Sequence, residues 1–278
     1  MPRLKPFAVS VFAAALVAAL AAGVPALAAA LKAGRSGNDI SYPQCGHQYP
    51  TVRAFGIVGV NGGLANRPNP CLASELEWAH ASPGTKKPSQ PPASLYLNTA
   101  NPGNHVSDWP TPSTGSTGAK TPYGVCRGAW DTACSYLYGE QRAQYSYGLV
   151  VGADSAVRAS SVPWWLDIET VNSWAKSKDS SRWASLNIAA IRGFVAGLRN
   201  AGAHGPVGLY STASNWRAIT GLTAKRSGKY FPQSEPDWLA GAGSLTQAKR
   251  SCGRSFTGAP VRLAAFRSGS FDGDYACS

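Results

Sequence analysis

Eight short apolar runs alternate along this chain with stretches of helical periodicity, and that order constrains the fold more than any other feature. The runs cover 38–41, 55–60, 94–98, 164–168, 207–210, 238–240 and 261–266, with a last short one near Phe271. Strands linked through helices pair in parallel, because the crossover returns the chain to the same end of the sheet. Helical spacing is clearest over 182–200, where Trp183, Leu186, Ile188, Ile191, Phe194, Val195 and Leu198 fall mostly on one face. Further helices are predicted over 71–81, 134–146, 214–220 and 245–250. The expected architecture is an α/β fold, a single irregular TIM-like (β/α) barrel.

Two segments, 82–92 and 101–122, read as loops from their Pro, Gly, Ser and Thr content. The second follows a strand and would rise from the carboxyl-end rim, where barrel active sites sit. It could instead link two domains, but neither flank has enough strands to close its own core.

The first residues form a separate unit. Arg3 and Lys5 precede an apolar run from Phe7 to Ala22, and Ala26-Leu27-Ala28 supplies a small-residue cleavage site. That layout is a signal peptide over 1–28, leaving 29–278 as the barrel. A membrane anchor is the alternative, but the run is shorter than the roughly 20 residues a span needs. With 44% hydrophobic and only 14% charged residues, the chain is not an intrinsically disordered one. Loss of Arg3 and Lys5 with the leader lowers the formal charge from +12 to +10. A secreted protein so basic is expected to adsorb to anionic wall polymers and glycans. Its Lys and Arg are scattered, with no basic helix or arm, so no dedicated nucleic-acid site is expected. No stable membrane span is expected after cleavage.

Six cysteines follow the leader: Cys45, Cys71, Cys126, Cys134, Cys252 and Cys277. An even number in an exported chain implies disulfides. Nearest-neighbour pairing is favoured because separations of 26, 8 and 25 residues close short loops without threading. A zinc site would need ligand spacing that neither the cysteines nor the dispersed His47, His80, His105 and His204 provide. No metal or cofactor is expected.

Only 14 residues are acidic, so carboxylates at strand ends are informative. Asp39 lies in the first strand, Asp167 and Glu169 end the fourth, and Asp272 lies in the last. Alternation points Asp167 and Glu169 to one side, about 6 to 7 Å apart along the backbone. Such neighbours repel, which raises one pKa and lets a proton donor stand beside an anion, as glycosidic hydrolysis requires. On this reading Glu169 holds the proton and Asp167 stays anionic. The competing reading is a strand-end pair held by Arg or helix N-termini for structural reasons. Serine-hydrolase, P-loop, zinc-protease and dinucleotide signatures are absent. Trp109, Trp164, Trp165, Trp174, Trp216, Tyr42 and Tyr210 lie near predicted strand ends and could stack on sugar rings.

These residues fall into a pattern that resembles the family 25 glycoside hydrolases, the lysozyme-like muramidases, and related secreted actinobacterial barrel proteins. GNDISYPQC is similar to the family's DxSxxQ opening, on Asp39, Ser41 and Gln44. WWLDIE resembles its DxE strand, VGLYSTASNW its GxYSxxxxW strand and turn, and FDGDYAC its last acidic element. The resemblance implies Glu169 as general acid, assisted by Asp167, with Asp39 and Asp272 completing the catalytic set. Tyr42, Gln44, Trp165, Tyr210 and Trp216 are the candidate substrate contacts. Departures fall at Asn61, where charged residues are frequent, at Ala265 and Phe266, which remove hydrogen-bonding capacity from the sugar subsites, and at Asp274, in place of Asn. The implied function is a secreted glycan hydrolase cleaving β-1,4 bonds of peptidoglycan or a related cell-wall polysaccharide. The alternative is a barrel that binds wall glycan without cleaving it.

Overall fold

Seven parallel strands and one antiparallel strand close a barrel in the order β1-β10-β9-β8-β7-β6-β3-β2. The computed structural model describes residues 34–277 apart from 52, 87–89, 116–117 and 155, so the leader read over 1–28 lies outside it. The barrel strands are β1 (Ser36–Ile40), β2 (Gly56–Gly59), β3 (Ala93–Asn98), β6 (Trp164–Asp167), β7 (Val207–Ser211), β8 (Asp237–Ala242), β9 (Val261–Ser268) and β10 (Phe271–Ala276). Around it lie α1 (Leu72–His80), α2 (Thr132–Ala153), α3 (Ala156–Ser161), α4 (Trp183–Ala201), α5 (Ala213–Thr220), α6 (Ala224–Ser227) and α7 (Leu245–Ser251). A small hairpin, β4 (Lys120–Thr121) and β5 (Gly124–Val125), stands apart. The parallel α/β structure expected from the alternation, closed into the irregular TIM-like barrel that the resemblance implies, is the fold observed.

One strand breaks the parallel rule for a simple reason. Only Gly269 and Ser270 join β9 to β10, too short for a crossover of a dozen residues or more, so β10 must turn back. It then wedges between β9 and β1, antiparallel to both.

The strands sort their side chains by alternation. Trp164 and Leu166 point outward into the layer beneath the helices, where Trp164 stacks on Tyr147 of α2 at 5.9 Å between centroids. Trp165 points inward, into an interior cluster with Phe55, Ile57, Trp238 and Leu263. Helix α2 runs further than its sequence pattern suggested, because Tyr147 and Val150 continue its buried face. It starts where Asp131 Oδ1 accepts the Cys134 N–H at 2.8 Å.

The loop read over 101–122 is anchored by the buried Asn101, Gly103, Trp109 and Pro110, while Pro112 to Gly115 are exposed. Trp109 is fully buried and stacks on Tyr138, and the hairpin at its end, too short to show alternation, lies beside the Cys126–Cys134 bridge. The other bridges join Cys45 to Cys71 and Cys252 to Cys277, the nearest-neighbour pairs expected. The last one ties the end of β10 to α7.

Helices α2 and α4 approach so closely that glycine is required at the crossing. A Cβ on Gly193 would lie 2.0 Å from the Tyr136 carbonyl oxygen, and one on Gly139 2.2 Å from that of Ala190. Both obstacles are backbone, so neither can swing away. Gly193→Ala is therefore expected to cost on the order of 2 kcal/mol by overpacking, read as a lowered midpoint in urea at unchanged slope.

Candidate active site

The carboxyl ends of the parallel strands carry an acidic cluster facing the barrel interior. Asp39 on β1 is the direct register partner of Asp272 on β10, and Asp274 lies two residues further along the same face. Asp167 ends β6 across the barrel, and Glu169 follows on its extension. The structure thus brings Asp39, Asp167, Glu169 and Asp272 together, and adds Asp274. Asp167 and Asp274 are buried, Asp39 and Glu169 keep part of their surface open, and Asp272 is exposed.

Their charges act on one another. Burial, then the charges of Asp272 and Glu169, push the Asp39 carboxyl up to about 7. Burial, then Glu169 and Asp39, hold Asp167 well above the carboxylate range. Glu169 is raised by burial and then by Asp272. Among the described residues no cation acts on Asp39, Asp167 or Glu169. Elsewhere Asp108 pairs with Arg142 at 3.1 Å and Asp154 with Arg158 at 3.0 Å, while burial pushes Glu75 and Glu235 up to about 7. Asp237, buried near the opposite mouth, accepts hydrogen bonds from Ser255, Phe256 and both donors of Thr257. By contrast, Asp167 Oδ1 and Asp274 Oδ2 are buried without a hydrogen-bond donor. A carboxyl so placed is held neutral. Asp167 therefore keeps a proton, where the sequence reading had it anionic beside a protonated Glu169. The charge that raises Glu169 comes from Asp272 instead, because Asp167 is too deeply buried to ionise readily.

The backbone around Asp167 and Glu169 is pinned by Thr99, by Ser211 of the GxYS element and by Trp174, in roles that the sequence pattern does not show. Thr99 Oγ1 donates to the Asp167 carbonyl at 2.5 Å and Ser211 Oγ to that of Ile168 at 2.7 Å. Trp174 Nε1 donates to the Glu169 carbonyl at 2.9 Å. Asn187, buried on α4, donates to the carbonyls of Ala175 and Ile219 and accepts from the Ala175 N–H and the Asn101 amide. These contacts join elements distant in sequence, so only the fold reveals them.

The nominated aromatic residues separate. Tyr210 borders the acids, its phenol raised by burial and then by Glu169, Asp39 and Asp167. Tyr42 stands exposed beyond the end of β1. Gln44 spends its side-chain oxygen on the Ser41 N–H at 2.9 Å, holding the turn after β1. Trp165 is 2% exposed and packs edge-on to Trp238 as part of the barrel floor, lining a 370 Å³ cavity at the opposite mouth. Trp216 is buried against Phe231 and Phe256 outside the barrel and donates to Ser227. Both indoles are consumed by packing, Trp165 in the barrel interior and Trp216 in the layer outside it. Phe266 also points outward, against Gly273, so only Ala265 bears on the interior. Asn61 is structural: its oxygen accepts the Asn98 N–H at 2.9 Å and its amide donates to Ser146.

From Thr170, one residue past Glu169, the loops after β3 and β6 enclose a groove of about 420 Å³, lined by His105, Trp130, Val171, Trp174, Lys176 and Asp179, among others, and by none of the five acids of the cluster. Its walls combine aromatic faces with polar groups, suited to a sugar or peptide chain. Among the described residues, no group of three or more His, Cys, Asp or Glu side chains has metal-holding geometry. No helix among them is long and apolar enough to cross a membrane.

No protein-family model matches this chain, and no curated protein does. Solved structures do resemble it. One is a bacterial lysozyme from Streptomyces coelicolor, 16% identical, with a TM-score of 0.49 over 88% of this chain and 93% of that one. Another is a glycosyl hydrolase 25 of Streptococcus pneumoniae, described as a virulence factor participating in host cell invasion. It is 13% identical, with a TM-score of 0.43 over 90% of this chain and 89% of that one. At such identities the likeness is one of fold.

Proposed function

We propose that this chain is a secreted glycan hydrolase that cleaves β-1,4 bonds of peptidoglycan or a related wall polysaccharide by carboxylate acid catalysis. The observation that carries the reading is the cluster of Asp39, Asp167, Glu169, Asp272 and Asp274 at one rim, where Arg267, exposed on β9, is the register partner of Asp272 alone. Stability alone gives no reason to gather like charges; proton transfer to a leaving oxygen beside an anion does.

Glu169 is the proton donor in this mechanism. It is raised, partly exposed, and next to the groove that would hold the chain of sugars. Asp272 is the exposed anion facing it, placed to support the positive charge that develops on the sugar ring. Asp39 stands between Asp272 and the buried acids. Tyr210 and the groove residues position the substrate.

The test is incubation of the protein, freed of residues 1–28, with purified walls, followed by mass spectrometry of the soluble fraction. Fragments with new reducing ends are expected. Binding without release would replace this reading with the glycan-binding barrel. Adsorption is expected to weaken as salt rises, since a +10 surface holds anionic wall through screened charges.

A further inference from the structure

We propose that Asp274 is a positioning residue for Asp39: the two carboxyl groups hold one proton between them, and the Asp274 O–H fixes Asp39 at the rim. The positioning role rests on the hydrolase reading above; the shared proton does not.

The geometry begins with β10. Its register puts Asp272 opposite Asp39 and Asp274 opposite Gly37, so all three acids face inward and Asp274 lies one step deeper. Asp274 is fully buried. Trp238 Nε1 on β8 donates to its Oδ1 at 2.9 Å. That indole is itself held by Tyr210 at 4.4 Å, Trp165 at 5.8 Å and Tyr96 at 6.1 Å between centroids. Asp274 is thereby fixed, and its Oδ2 meets no N–H or protein hydroxyl donor. Its inward neighbour across the strand pair is Asp39, one register step along β1, and the electrostatics of the two acids are linked. Two carboxyl groups side by side can hydrogen-bond to each other only when one is protonated, so the pairing requires a proton.

The deeper member keeps it. Burial and the charge of Asp39 hold Asp274 well above the carboxylate range, while the bond from Asp274 lowers Asp39 relative to burial alone. The groups acting on the pair are Asp272 on β10, Glu169 on the extension of β6 and the Trp238 indole on β8; among the described residues no Lys, Arg or His does so, Arg267 on β9 being the register partner of Asp272. Asp167 and Tyr210 complete the surroundings, each raised in part by the charge of Asp39. On β9, Ala265 pairs with Asp274 and offers no donor. This chain has Asp274 where the resembling family has Asn, so the proton is supplied by the residue itself.

The sign of the pH effect follows. The folded protein keeps the Asp274 proton at neutral pH and the unfolded chain does not, so this group's contribution to stability is full below the unfolded carboxylate range. It is lost as pH rises toward the folded value. Asp274→Asn retains an acceptor for Trp238 and a donor for Asp39 but has no proton to lose. The experiment is thermal melting of wild type and Asp274→Asn between about pH 4.5 and pH 8. The gap between the two midpoints should move in favour of the variant by at least about 3 °C over that range. Asp39→Asn, which removes the neighbouring charge but leaves Asp274 buried, should flatten the wild-type dependence in part, and serves if the first variant does not fold. Adding both should flatten it no further than Asp274→Asn together with the loss of the Asp39 acid itself.

A gap independent of pH would overturn the shared proton. Wall cleavage reads the positioning role separately: Asp274→Leu, with neither donor nor acceptor, should lower kcat about tenfold at nearly constant KM, and Asn should recover most of it. Flattened melting with equal losses for Leu and Asn would overturn positioning. Flattened melting with no cleavage by the wild type would support the shared proton and overturn the hydrolase reading instead.

Discussion

Glu169→Gln is expected to lower the rate of wall-glycan cleavage by at least about 100-fold while leaving folding and wall adsorption nearly unchanged. The amide matches the acid in size and can occupy the same half-buried place on the extension of β6. Main-chain contacts that hold this stretch, from Trp174 Nε1 and the Asn172 N–H to the Glu169 carbonyl, do not involve the side chain. What disappears is the transferable proton. A mutant that still binds wall, melts as the wild type does and releases no fragments separates acid catalysis from substrate contact. Full cleavage by the mutant would place the donor elsewhere in the cluster.

The barrel and its acidic rim were legible because two periodicities survive in the sequence. Strand-length apolar runs alternate with helical spacing, and that order specifies mostly parallel α/β structure, while closure into a barrel was implied by the motif resemblance. The acids stood out because acidic residues are scarce and four of them lie in or just beyond predicted strands. Charge states were not legible. The pair Asp167 and Glu169 reads as two similar groups two residues apart, yet the fold buries one completely and leaves the other half open. Desolvation depends on the neighbours that close over a side chain, and those come from β1, β7 and β10. The aromatic residues failed for a related reason: Trp165 and Trp216 sit beside motif positions, but alternation and helix packing send them into the core. Asp274 was noted only as a departure from a pattern, since its partners Trp238 and Asp39 are far along the chain.

Asp272→Asn is expected to reduce cleavage by at least about 100-fold and to move the alkaline limb of the pH–rate profile to lower pH. A general acid works only while protonated, so activity falls as pH rises through its pKa. Glu169 is held up by burial first and by the Asp272 charge second; removing that charge lets Glu169 lose its proton sooner. The Asp272 side chain is exposed, so the substitution should leave the melting temperature nearly unchanged. Asp167→Asn provides the contrast. Burial, then the charge of Glu169, hold Asp167 well above the carboxylate range, so it carries its proton while Glu169 titrates. Its amide should leave the alkaline limb in place and make the protein less sensitive to rising pH in melting. Profiles measured side by side decide between the two acids. If Asp167→Asn moves the limb and Asp272→Asn does not, Asp167 is the working anion, as the alternation of WWLDIE first suggested, and the exposed carboxylate on β10 is a bystander.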